Sequence, residues 1–118
     1  MNILKIATLN INGIHTPTRI AMLHDFLKNH DPDILFLQEV IHPNLGNLQG
    51  YTTYTNAGTT IRGTTFVTRN DLKITIIAKL RTGRGIAAEC VGIRLLNVYA
   101  IQAERNLFQH RPCIPLAQ

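Results

Sequence analysis

Three residues stand where chemistry could be done. Asn10 ends the run Ile3-Leu4-Lys5-Ile6-Ala7-Thr8-Leu9, Glu39 follows Ile34-Leu35-Phe36-Leu37-Gln38, and Tyr99 follows Ile93-Arg94-Leu95-Leu96-Asn97-Val98. If a helix crosses over between two parallel strands, Asn10 and Glu39 land side by side on one edge of a sheet, where open α/β sheets place their ligands. There a carboxylate and an amide can share a hard metal ion and a phosphate. Strand alternation puts Asn10 on one face with Leu4, Ile6 and Thr8, Glu39 with Leu35 and Leu37, and Tyr99 with Ile93, Leu95 and Asn97. Each polar terminus continues an apolar face, so the three are expected to converge at the mouth of a core.

The elements that must position them follow from local chemistry. Residues 3 to 9 read as a buried strand. Thr16-Pro17 is a helix start: the hydroxyl accepts an orphan N–H, and proline lacks the N–H that would go unpaired. Ile20, Leu23, Phe26 and Leu27 recur at helical spacing, and Asp31-Pro32 predicts an end near Asn29. Residues 34 to 38 are strand-like, completing a βαβ unit. A loop with Pro43, Asn44, Gly46, Asn47 and Gly50 follows, then five strands at 51–55, 64–68, 73–80, 86–91 and 93–99, with connections short enough for antiparallel neighbours. Residues 102–110 are expected to form a short helix that ends before Pro112.

At 118 residues, 45% hydrophobic and 16% charged, the chain is at most one ordinary folded domain. No apolar run reaches the roughly 18 residues of a membrane span, and no secretory leader is evident, so an intracellular protein without a membrane is expected. Cys90 and Cys113 are too few and too far apart for a disulfide framework or a Cys-x-x-Cys site. The charge is lopsided: residues 1–60 carry a net −1 and residues 61–118 a net +6. A basic half suits a polyanion such as nucleic acid, although a solvated surface would read the same way.

Thr8-Leu9-Asn10-Ile11-Asn12-Gly13-Ile14, the helix around Arg19 to Leu27, Asp33-Ile34-Leu35-Phe36-Leu37-Gln38-Glu39-Val40, Arg62-Gly63-Thr64-Thr65, Gly83-Arg84-Gly85-Ile86 and Asn97-Val98-Tyr99-Ala100 occur in an order that resembles the endonuclease/exonuclease/phosphatase superfamily. Within it the sequence is most similar to the endonuclease domain of LINE-type non-LTR retrotransposons. The resemblance implies an α/β fold: the N-terminal half of a four-layered αββα DNase I-like sandwich, with a βαβ unit followed by mainly antiparallel strands. It also implies that Asn10 contacts metal or phosphate, that Glu39 ligates Mg²⁺ or Mn²⁺, and that Tyr99 lies against the scissile phosphate. DNA is the implied partner, the location nuclear if the protein functions, and a reverse transcriptase polyprotein the parent if full length.

Family members continue to an Asp-x-Asn motif that positions the attacking water and a Ser-Asp-His segment with the catalytic histidine. Neither occurs in these 118 residues, which contain no serine, and Ile101 replaces the proline that usually follows Tyr-Ala. The expectation is a partial domain over residues 1–118 without its C-terminal half, inactive alone, with the sheet faces led by Leu35, Leu37, Ile93 and Leu95 lacking a partner sheet. An abasic-site repair nuclease and a non-catalytic nucleic-acid-binding remnant are the alternatives; Leu9, where repair enzymes commonly carry Trp, and the Arg62-Gly63-Thr64 block favour the retrotransposon. Taken as residues alone, Asn10 before Asn12-Gly13 suits turn chemistry equally well, and Tyr99 suits the rim of a core. Gly13, Gly63 and Gly85 read as backbone devices. His15, His24, His30, His42 and His110 show no ligand spacing with the cysteines, and Asp31 and Asp33 belong to the turn around Pro32.

Overall fold

In the computed structural model, which describes residues 3–11, 13, 17–41, 45, 47–58 and 62–100, the first two apolar runs are parallel strands joined by a helix. β1 (Ile6–Asn10) pairs with β2 (Ile34–Val40), from Ile6 against Ile34 to Asn10 against Gln38, and α1 (Pro17–His30) crosses between them. Pro17 is the first helical residue as expected; Thr16, the expected cap, lies outside the described residues. Leu23 and Leu27, one turn apart, bury against Leu35, Leu37 and Val67.

The helix stops where Asp31 takes a left-handed φ of 49° and its N–H donates to the Leu27 carbonyl at 2.8 Å, a closure that Pro32 makes final. Arg69 pins this turn: its Nη2 donates to Asp31 Oδ1 at 2.7 Å and its Nε to Asp33 Oδ1 at 3.2 Å. The Lys5 backbone N–H, 2.8 Å from Asp33 Oδ2, and the Arg69 guanidinium together hold the Asp33 carboxyl below its ordinary range. Tyr51, under the Arg69 guanidinium, donates its hydroxyl to the Pro32 carbonyl at 2.8 Å. The two aspartates therefore belong to the helix-to-strand turn.

β3 (Tyr51–Asn56) and β4 (Gly63–Arg69) complete a four-stranded sheet in the order β1-β2-β4-β3, antiparallel after the first pair. β5 (Ile74–Lys79), β6 (Gly85–Cys90) and β7 (Ile93–Val98) form a second, antiparallel sheet in sequence order. The sheets pack through Ile34, Phe66, Ile86, Ala88, Cys90 and Leu95, with Phe36 edge-on to Phe66 at 5.0 Å. Because the second sheet supplies what the first needs, the expectation of a missing partner sheet is corrected. α1 covers Leu35 and Leu37, and Leu95 packs between the sheets. The described residues form three layers, helix on sheet on sheet; Ile93, the fourth residue of that expectation, stays exposed, as do Leu96 and Val98 on the second sheet and Ile3, Ile6 and Met22 elsewhere. The expected helix over 102–110 lies outside the described residues, and no helix among them is long and apolar enough to cross a membrane.

The β6–β7 hairpin turns through Val91 and Gly92, both at positive φ (52° and 76°). That geometry favours Asn-Gly, and a β-branched residue there is a backbone outlier with an exposed side chain. Val91→Asn is expected to raise stability by about 1 kcal/mol, read as a higher urea midpoint with unchanged slope.

Candidate active site

The chemistry-bearing end of β2 is built by a bulge. Leu37 opposes Thr65 and Gln38 opposes Thr64, but the next paired residue is Val40, against Gly63, so Glu39 is the inserted residue, with φ at 59°. Val40 thereby takes the helix-side position that alternation assigned to Glu39, which does not share a face with Leu35 and Leu37. A left-handed glutamate costs about 1–2 kcal/mol and persists only where its surroundings hold it. Here Gly13, itself at φ 77°, donates its N–H to the Glu39 carbonyl at 2.7 Å, and the carboxylate accepts from Arg62 Nη1 at 3.2 Å.

Asn10 stands beside Gln38 on the neighbouring strand end and is exposed. It does share its face with Leu4, Ile6 and Thr8, but only Leu4 reaches the core between the sheets, and Ile6 and Thr8 lie open at the sheet edge. Asn10 therefore sits on a rim and does not continue an apolar core face.

Tyr99 follows the end of β7. Its N–H donates to the Arg84 carbonyl at 3.1 Å and its hydroxyl to the Arg62 carbonyl at 3.2 Å. Burial, then the Glu39 charge, push its phenol above the ordinary value, against the opposing pull of Arg84 and Arg62. It is a protonated donor at neutral pH. Glu39 and Tyr99 thus flank Arg62, with Arg84 alongside, and Asn10 lies on the same strand-end edge.

Backbone packing brings the two Arg-Gly segments together. A Cβ on Gly58 would strike the backbone of Gly83, one on Gly83 the carbonyl of Ala57, and one on Gly63 the carbonyl of Asn56. Thr64 Oγ1 donates to the Gly83 carbonyl at 3.1 Å, and Asn56 Nδ2 to the carbonyls of Leu80 and Gly85 at 2.7 and 2.8 Å. Gly63 is one of the expected backbone devices. Gly85 is another: a Cβ there would meet the Leu80 side chain.

Beneath the rim lies a residue to which the sequence reading gave no role. Asn97 is buried between the sheets; its Nδ2 donates to the carbonyls of Leu37 (3.0 Å) and Thr65 (2.9 Å), and its Oδ1 accepts from Gln38 Nε2 at 2.8 Å. Gln38 also reaches Thr8 Oγ1 at 2.9 Å. One amide therefore ties β7 to β2 and β4 immediately before Glu39 and Tyr99. The signal was present in the alternation: Gln38 and Asn97 are amides on inward positions, and inward polar groups require partners. Among the described residues no buried side-chain nitrogen or oxygen lacks one.

The donor set fits a hard, hydrated cation. Glu39 is a carboxylate 14% exposed and Asn10 an amide at the same edge, whereas no group of three His, Cys, Asp or Glu among the described residues could form a closed metal cage. A single carboxylate with water and substrate phosphate is how Mg²⁺ is commonly held. His24 and His30 lie on α1, Cys90 is buried between the sheets, and His15, His42, His110 and Cys113 lie outside the described residues.

A βαβ start, antiparallel strands stacked on a second sheet, and a carboxylate, tyrosine and arginines at one rim define a class, and sequence comparison agrees: the profile of the endonuclease/exonuclease/phosphatase family matches residues 7–105. The chain belongs to this family. Among solved structures it is similar to an AP endonuclease from Archaeoglobus fulgidus (25% identity, TM-score 0.59, 92% of this chain and 48% of that one). It is also similar to the 3′ phosphatase NExo from Neisseria bound to product DNA hairpin (26%, 0.63, 86% and 43%). The endonuclease domain of TRAS1, a telomere-specific non-LTR retrotransposon, shares the fold at 15% identity (0.64, 98% and 55%). The chain spans about half the length of these structures. No curated protein matches it.

Proposed function

We propose that this chain carries the metal- and phosphate-holding half of a DNA phosphodiesterase site, by descent the target-nicking endonuclease of a non-LTR retrotransposon. Glu39 and Asn10 would hold Mg²⁺ or Mn²⁺, and Tyr99 would lie against the scissile phosphate, with the hydroxyl that now donates to the Arg62 carbonyl. The observation that carries the reading is the bulged, left-handed Glu39, whose carboxylate is turned toward Arg62 beside Tyr99. When bound, the cation supplies charge stabilisation at the phosphoryl oxygens. The chain's own residues orient and neutralise: Arg62 and Arg84 present cations at the rim, and Tyr99 offers a protonated hydroxyl. The charged C-terminal portion suits the DNA backbone electrostatically. Leu9 and the Arg62-Gly63-Thr64 block support the retrotransposon branch. The 25% identity to an AP endonuclease favours the second reading, an abasic-site nuclease with the same half-site.

The test is Mn²⁺ titration by electron paramagnetic resonance with a short DNA duplex present. Glu39→Gln should weaken Mn²⁺ binding by at least about tenfold, the scale seen when groups supporting a metal are lost. Identical titrations for wild type and Glu39→Gln would remove the carboxylate from the metal site and defeat the reading.

A further inference from the structure

Resting on the reading of Glu39 as the metal-holding carboxylate, we propose that Arg62 is a resident counterion that occupies this carboxylate until a divalent cation and a phosphodiester arrive together. Arg62 Nη1 lies 3.2 Å from Glu39 Oε1, and the guanidinium is the more solvent-accessible partner, with the Glu39 side chain 14% exposed and that of Arg62 36%. The bulge sets the backbone from which the carboxylate projects, and the guanidinium is the group that an arriving metal ion would replace at that carboxylate. Two cations compete for one carboxylate, so the arginine lowers the affinity of the free protein for metal. Once displaced, a planar guanidinium beside the site is suited to a phosphate oxygen, its preferred anion after a carboxylate. Metal and DNA backbone would then bind cooperatively, each completing what the other releases.

The backbone of Arg62 has a separate task, since its carbonyl accepts the Tyr99 hydroxyl and its neighbour Gly63 packs on Asn56. Side-chain substitution leaves both in place, so Arg62→Gln is expected to fold. The assay is again Mn²⁺ titration, without and with a DNA duplex. In Arg62→Gln, binding without DNA should tighten about threefold to tenfold, reflecting loss of a partly exposed competing cation. The enhancement of Mn²⁺ affinity by DNA should shrink by at least about threefold. Arg62→Lys, which keeps the charge, should stay near wild type without DNA. Unchanged or weaker Mn²⁺ binding by Arg62→Gln without DNA would overturn the proposal, as would tightening matched by Arg62→Lys. Insensitivity to Glu39→Gln would instead defeat the underlying half-site reading, and the proposal with it.

Discussion

Asn97→Asp is expected to lower stability by about 4 kcal/mol, most of the margin of a domain at the low end of the ordinary range of about 5–15 kcal/mol. The substitution changes one atom and reverses the electrostatics of the point where the sheets meet. Asn97 Nδ2 donates to the Leu37 and Thr65 carbonyls; an ionised carboxylate has no hydrogen to offer and faces two carbonyl oxygens in a site that excludes water. It loses two hydrogen bonds and buries an unneutralised charge. The pH dependence provides a control. Burial raises the folded-state pKa of the introduced carboxyl above its unfolded value, so protonation favours the folded state. The deficit should be full above the folded pKa and shrink as pH falls through it. Urea unfolding of wild type and variant at pH 7 and pH 5 reads both effects; a loss under 1 kcal/mol at pH 7 would mean that water reaches Asn97.

Gly58→Ala is expected to cost more than about 3 kcal/mol, and its damage should centre on the site. At φ 62° the added methyl carries the left-handed penalty of about 1–2 kcal/mol, and it would collide with the main chain of Gly83, which cannot rotate away as a side chain could. Relief requires separating residues 57–58 from 82–83, beside Arg84 and the Arg62 carbonyl that lies against Gly83. Thermal unfolding should therefore shift down by more than 10 °C. The tyrosine near-ultraviolet signal should change with it, because Tyr99 hydrogen-bonds to the carbonyls of Arg62 and Arg84. Gly50→Ala is the matched comparison: its φ is 87°, but nothing lies within 4 Å of the added Cβ, so it should cost only the backbone part.

Much of the scaffold was legible because it is written in local chemistry. Pro17 fixes a helix start, the i, i+4 pair Leu23 and Leu27 fixes its buried face, and the glycines and Asn70-Asp71 punctuate the strands that were found. The candidate site could be read from the sequence only as a set of residues, without their geometry. Alternation assigned Glu39 to the face of Leu35 and Leu37 because period 2 has no place for an inserted residue; the bulge arises from pairing with β4, where Val40 and not Glu39 opposes Gly63. The roles of Arg62 and Asn97 depend on contacts across 23 and 60 positions of sequence, which no local pattern encodes. The missing-sheet expectation failed for a related reason: strands 5 to 7 read correctly one by one, but nothing local showed that they leave the first sheet and return over its inner face.

If, as proposed, the chain holds the metal and the phosphate but not the groups that activate water, conversion of supercoiled plasmid to the nicked form will show it. With 118-residue protein purified to homogeneity and Mg²⁺ or Mn²⁺ present, no nicking above the buffer control is expected, because no Asp-x-Asn motif and no Ser-Asp-His segment occur in these residues and groups that act as a unit are not replaced by the ligands that remain. Robust nicking that Glu39→Ala abolishes would contradict it, since the chain would then contain a complete site.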